Sequence, residues 1–309
     1  MERQVRCAPF TAGFSKGLIV SLASLGRVGG AVAAALALAS AGWGIGTTPM
    51  SNPSEVSARA LLNWEKSSIQ LPLDEYGMNS RGAQIVLAAQ SVLIWQCLTA
   101  TPLSDMALSD ARAMVSFDPN ERNWLYGVWD APYVAAHGTE PRVGPVLNWL
   151  REWDPADQSA VEQCGSDVVA SGMNVIDRRT VGSASDAPSL TLLRQGLDAY
   201  HLTVQDSRFK VLVETLNACI QKAGYKVADG SIGGVELDPT WDDNQSTRAY
   251  LTWAQCSDDM GFTQQAGDIE AGYEAQAILN HQAELVEVKQ IADGRVTQAT
   301  QILTDAGVL

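Results

Sequence analysis

Basic side chains are in short supply: 21 Lys and Arg stand against 35 Asp and Glu, a formal net charge of −14 over 309 residues. The imbalance deepens past the first 41 residues, which hold Arg3, Arg6, Lys16 and Arg27 but only one acid, Glu2. Such a surface repels phosphate backbones and anionic lipid, because displacing their counterions takes clustered Lys and Arg. Nucleic acid is therefore not an expected partner. Histidine is scarcer still. His137, His201 and His281 are the three in the chain, and none has the i, i+4 companion of a zinc helix. There is no Cys-x-x-Cys, and beyond the leader no Gly-x-Ser-x-Gly nucleophile elbow. Twelve prolines are too few for a long Pro-rich stalk. No metal, cofactor or catalytic constellation is expected from these patterns.

What is present begins with an export signal. Residues 3–27 form a long positively charged region, followed by an alanine-rich apolar run from Val28 to about Ala39. Ala39-Ser40-Ala41 then gives the small-x-small pattern that a signal peptidase accepts. The apolar run is shorter than the roughly 20 residues of a membrane span. Extending it backwards would put Arg27 inside the bilayer. The expectation is a signal peptide over 1–41 with a mature N-terminus near Gly42. The alternative is an uncleaved N-terminal anchor, the chain's one expected link to a membrane. Residues 42–53 read as a linker, rich in Gly, Thr, Ser, Asn and Pro.

Four of the five cysteines lie beyond the leader: Cys97, Cys164, Cys219 and Cys256. In an exported chain an even count reads as disulfides, with three possible pairings. Cys97 and Cys219 each stand near the end of an apolar helical run, whereas Cys164 and Cys256 each end a shorter helix with a polar lead-in. That repetition favours Cys97–Cys164 and Cys219–Cys256, closing two helix–loop–helix units over 54–176 and 189–309 with a linker at 177–188.

The fold class expected is mainly α. A short helix is expected over Ser54–Trp64, an extended approach over Leu71–Tyr76, then a helix capped by Asn79 or Ser80 and running to about Leu98. The stretch 100–145, with five prolines, reads as loops, and Pro155 as the start of the helix ending at Cys164. Helices over Ser189–Tyr200 and Gln205–Ala223 follow, then a return through Trp241 to Met260. Ile269, Tyr273, Ala277, Leu285, Val288 and Ala292 recur at three-to-four-residue steps with charges between them. That pattern predicts a long C-terminal amphipathic helix packed on the body, with a kink at Asp293-Gly294.

Several phrases taken together resemble a large group of exported actinobacterial proteins of unknown function. They are Leu71-Pro72-Leu73-Asp74-x-Tyr76, the helix leading to Cys97, Arg122-x-x-x-Tyr126-Gly127 and Ala135-Ala136-His137-Gly138 in the first half. In the second half they are Cys219-x-x-x-x-Gly224-Tyr225, Ala254-x-Cys256 and a long helix ending Ile302-Leu303. The likeness runs loosely over residues 68–306, departing where Thr99-Ala100-Thr101-Pro102 replaces an expected glycine. It implies paired cysteines and a place outside the membrane, and no activity.

The remaining motifs have plain structural readings. Ser207-x-x-Lys210 matches the nucleophile motif of penicillin-binding enzymes but lacks the companion Lys-Thr-Gly. Asp238-x-x-x-Asp242-Asp243-Asn244 gathers oxygen atoms without the spacing or glycine of a calcium loop, and reads as a cap on the next helix by Asn244 or Asp243. Nine tryptophans are more telling. Trp95, Trp124, Trp129, Trp149 and Trp153 fall within 59 residues, and indole faces beside Asp and Asn suit sugar rings. Trp124, Trp129, Trp149 and Trp153 are thus the candidate binding surface. The function expected is a non-catalytic envelope or secreted protein that binds a wall polymer or an exported protein. The alternative is an envelope-acting hydrolase, which would bring His137 or Ser207 onto a carboxylate in one pocket.

Overall fold

The computed structural model describes residues 58–99, 103–117, 124–138, 158–178, 187–228, 232 and 234–309. The leader, the linker at 42–53, residues 179–186 of the second linker, and Trp149 and Trp153 lie outside these residues.

The described chain opens as a hairpin, not as the helix expected over Ser54–Trp64. Strand β1 (Leu61–Asn63) pairs antiparallel with β2 (Ser68–Gln70), Leu62 opposite Ile69. The reason is tertiary. The Ala60 N–H donates to Asp268 Oδ1 at 2.9 Å, and Gln264 Nε2 donates to the Ala60 carbonyl at 3.0 Å. Backbone groups that a local helix would use are taken by side chains some 200 residues away. Residues Pro72–Tyr76, expected to be extended, form a 3-10 turn with Pro at its start, and Asp74 Oδ2 accepts the Leu71 N–H at 2.7 Å.

Eight α-helices follow among the described residues. They are α1 (Ser80–Thr99), α2 (Asp105–Ser116), α3 (Ala131–His137), α4 (Gln158–Ala170), α5 (Ala187–Gln205), α6 (Ser207–Lys222), α7 (Asp243–Asp259) and α8 (Phe262–Asp305). Helices α2 and α3 occupy ground that the prolines had marked as loop. Ser104 caps α2 through the Ala107 N–H, and Pro132 sits in the first turn of α3, where its missing N–H has no intrahelical partner to lose. Helix α4 runs past Cys164 to Ala170 instead of ending there. By length and composition α1 could cross a membrane, yet here it packs on α2, α4 and α8.

Both disulfides have the favoured pairing, Cys97–Cys164 and Cys219–Cys256, each with Cα atoms 5.9 Å apart. One ties α1 to α4 and the other ties α6 to α7. The two stretches they close do not enclose separate cores. Val86, Ala89, Val92 and Val168 pack with Ala299 and Leu303; Leu73 and Ile176 pack with Leu192, Leu285 and Val288. Ile69, Leu71 and Tyr126 join Phe209, Leu216, Phe262 and Ile269.

The 44-residue helix α8 is the common wall of these clusters, touching α1, α5, α6, α7 and the 3-10 turn. Its break comes at His281 (φ −124°, ψ 23°) and not at Gly294, so that its first half follows one cluster and its second half the other two. Leu285, just past the break, is 0% exposed. Leu285→Ala should lower unfolding free energy by about 3 kcal/mol in urea titration, as for other fully buried leucines. A loss under about 1 kcal/mol would mean that this face of α8 is not core.

Candidate functional site

Two places gather chemistry: an indole edge at the hairpin and a buried arginine beneath α8. The hairpin turn carries Trp64, 50% exposed, beside the exposed Leu61, Asn63 and Glu65. The Trp64 ring meets Trp129 edge-on, centroids 5.0 Å apart at 77°. Trp124 lies half-buried alongside and donates from Nε1 to Ser67 Oγ at 3.1 Å. Ser67 closes the turn with φ +48°, a left-handed conformation uncommon outside glycine. Beneath it, Asp130 caps α3 by accepting the Tyr133 N–H at 2.8 Å, and burial raises its carboxyl above the usual range. Gly127 (φ +92°) lets this strap pass under Trp253, whose ring would stand 2.1 Å from any added Cβ.

This changes the expected surface. Trp129 is only 1% exposed and belongs to the interior, where the large ring fills space under the hairpin. Trp124 keeps part of its ring outside, and Trp64, which sequence reasoning passed over, presents most. Its signal was Asn63-Trp64-Glu65-Lys66, a polar turn between two short apolar runs, obscured by the helical reading of that stretch.

The second cluster lies inside. Arg178 ends an extended segment whose carbonyls are held in turn: Met173 by Gln90 Nε2 at 2.6 Å, Asn174 by Arg295 Nη1 at 3.2 Å, and Ile176 by the Met78 N–H at 2.9 Å. Helix α5 crosses it at Gly196, where a Cβ would stand 2.7 Å from the Arg178 carbonyl. So fixed, Arg178 is 2% exposed and meets three acids. Its Nε bonds Asp74 Oδ1 at 2.5 Å; its Nη1 bonds Glu270 Oε1 at 3.0 Å and Glu274 Oε1 at 2.5 Å. Tyr126 donates its hydroxyl to Glu270, and the Leu73 N–H donates to Glu274 Oε2 at 2.8 Å. Burial pushes Glu270 above the ordinary carboxylate range and Glu274 up to about 8, against the pull of Arg178. Burial and the Glu270 charge raise Tyr126, while the three acids hold Arg178 firmly protonated.

The histidine and serine candidates do not converge. His137 ends α3 with its ring on Tyr133, centroids 4.6 Å apart. Ser207 begins α6 at a shallow groove lined by Arg208, Val211, Leu212, Gln265, Asp268 and Ile269. Asp206 just before it caps α6, and bonds from Arg208 and the Tyr273 hydroxyl help hold its carboxyl down to about 2. In the 238–244 loop Asp242, rather than Asp243 or Asn244, caps α7 in a reciprocal pair with Gln245. Asp238 accepts from Thr240. Among the described residues no three His, Cys, Asp or Glu side chains stand close enough together to hold a metal. No protein-family model, no curated protein and no solved structure matches the chain.

Proposed function

We propose that this is an exported, non-catalytic protein of the cell envelope that binds a wall polysaccharide through the indole edge at Trp64. The observation that carries the reading is the seating of Trp64: half its surface is open, yet its ring is braced by Trp129. An aromatic face held in place loses little conformational entropy on binding, and sugar C–H faces pack on such rings. Asn63 and Glu65 on the same turn offer hydrogen-bonding groups for hydroxyls. The disulfides are consistent with an oxidising compartment, and the leader-like N-terminus and the resemblance to exported actinobacterial proteins support export.

Co-sedimentation with purified actinobacterial wall polymer tests this. Trp64→Ala should weaken binding by about tenfold, near 1.4 kcal/mol, with little change in melting temperature because the ring is half in solvent. Undiminished binding by that variant would remove Trp64 from the site. Failure of the native protein to bind any wall fraction would remove the polysaccharide.

A further inference from the structure

We propose that the Arg178 cluster is a proton-dependent clasp: Glu270 and Glu274 share a proton that lets α8 hold the 3-10 turn and the Arg178 segment, and losing it in alkali loosens both. The geometry sets the stoichiometry. Three carboxylates surround one guanidinium, so full ionisation would leave two uncompensated negative charges. Asp74 stands apart from the two glutamates, its side chain 26% exposed and its two oxygens taking Arg178 Nε and the Leu71 N–H. Glu270 and Glu274 sit one turn apart on α8 and both turn Oε1 toward the same nitrogen, Arg178 Nη1. Nη2 is buried without a hydrogen-bond partner, so the guanidinium does not take the two glutamates on separate nitrogens. Like charges so placed cannot both ionise at low cost, and the proton belongs to the pair.

The groups that face the pair from each neighbour are few. The 3-10 turn supplies Asp74 and the Leu73 N–H, the 173–178 segment supplies Arg178, and the 124–128 strap supplies Tyr126. Helix α5 supplies Tyr200, whose hydroxyl is raised first by burial and then by the Glu270 charge. Among the described residues that face the pair Arg178 is the one base, so none of the others there neutralises a second glutamate.

The linkage has a definite sign. A carboxyl raised in the folded state gives stability fully present below the unfolded value, which is lost as pH rises through the folded one. For Glu274 that window runs from the ordinary carboxylate range to about 8. Across it folding should take up about one proton, so the folding equilibrium constant should fall up to about tenfold per pH unit. Exchange of the Leu73 amide, which is bonded to Glu274, should also accelerate at pH 9 beyond its intrinsic base catalysis.

The test compares wild type with Glu274→Gln by denaturant unfolding from pH 5 to pH 9. The amide keeps the shape and removes the titration, so the variant should show a clearly flatter profile. Carboxyl-carbon NMR on the labelled wild-type protein gives a second reading that needs no variant. One glutamate resonance of the pair should titrate far above the ordinary range. Parallel pH profiles, or both resonances titrating near 4, would overturn the clasp. If Glu274→Gln does not fold, the wild-type resonances decide.

Discussion

Replacing all four bridging cysteines with alanine is expected to remove roughly 8 kcal/mol of stability, enough to abolish folding at 37 °C for a chain of ordinary marginal stability. The loops closed span 67 and 37 residues. In the loop-entropy relation each cross-link then withdraws roughly 4 kcal/mol of freedom from the unfolded chain. The native side adds little loss of its own, since the sulfurs join helices that already pack, α1 on α4 and α6 on α7. Each bridge should therefore be replaceable singly, with a measurable fall in urea midpoint. Far-UV circular dichroism and urea unfolding of the two double variants and the quadruple variant give the comparison. A quadruple variant that unfolds within about 2 kcal/mol of wild type would mean that the helices alone hold the fold.

Arg178→Met is the most damaging single substitution expected. It leaves the thickness of the side chain but strips from Asp74, Glu270 and Glu274 the base that all three share, the only one facing them among the described residues. Removing one partner of a buried ion cluster leaves uncompensated charge, and such losses run to about 3–5 kcal/mol. The variant should also be acid-rescued. Without the guanidinium the glutamates can stay buried only as neutral acids, so the deficit at pH 7.5 should shrink markedly at pH 5. Urea titration at the two pH values reads both effects. A deficit below about 1 kcal/mol at pH 7.5, or one that grows on acidification, would contradict this account of the cluster.

The disulfide pairing was legible because each cysteine sits at a recognisable place in a helical pattern, and the bridges join neighbours in chain order. The long C-terminal helix was legible for the same kind of reason. Ile269, Leu285, Val288 and Ala292 recur at helical spacing, and all are buried. Its kink was misplaced, because Gly294 advertises flexibility locally whereas the bend at His281 answers to which cluster each half must cover. Helix α3 was missed through reading Pro132 as a breaker when it stands at a helix start, and α2 because Pro102 and Pro119 on either side of it marked the whole stretch as loop.

The candidate sites were harder to read. Trp129 and Trp64 are chemically the same residue type, and only the hairpin's position puts one inside and the other at the surface. Glu270 and Glu274 looked like the outward charges of an amphipathic helix. They point inward because Arg178 waits there, placed by Gln90, Arg295 and the close passage at Gly196. By itself the sequence determined what depends on local periodicity and caps: the helical class, the two bridges and the C-terminal helix. The tertiary structure decided what depends on residues distant in the chain meeting in one low-dielectric place. Asp74, Tyr126, Arg178, Glu270 and Glu274 converge there because burying three acids becomes tolerable only around a shared base.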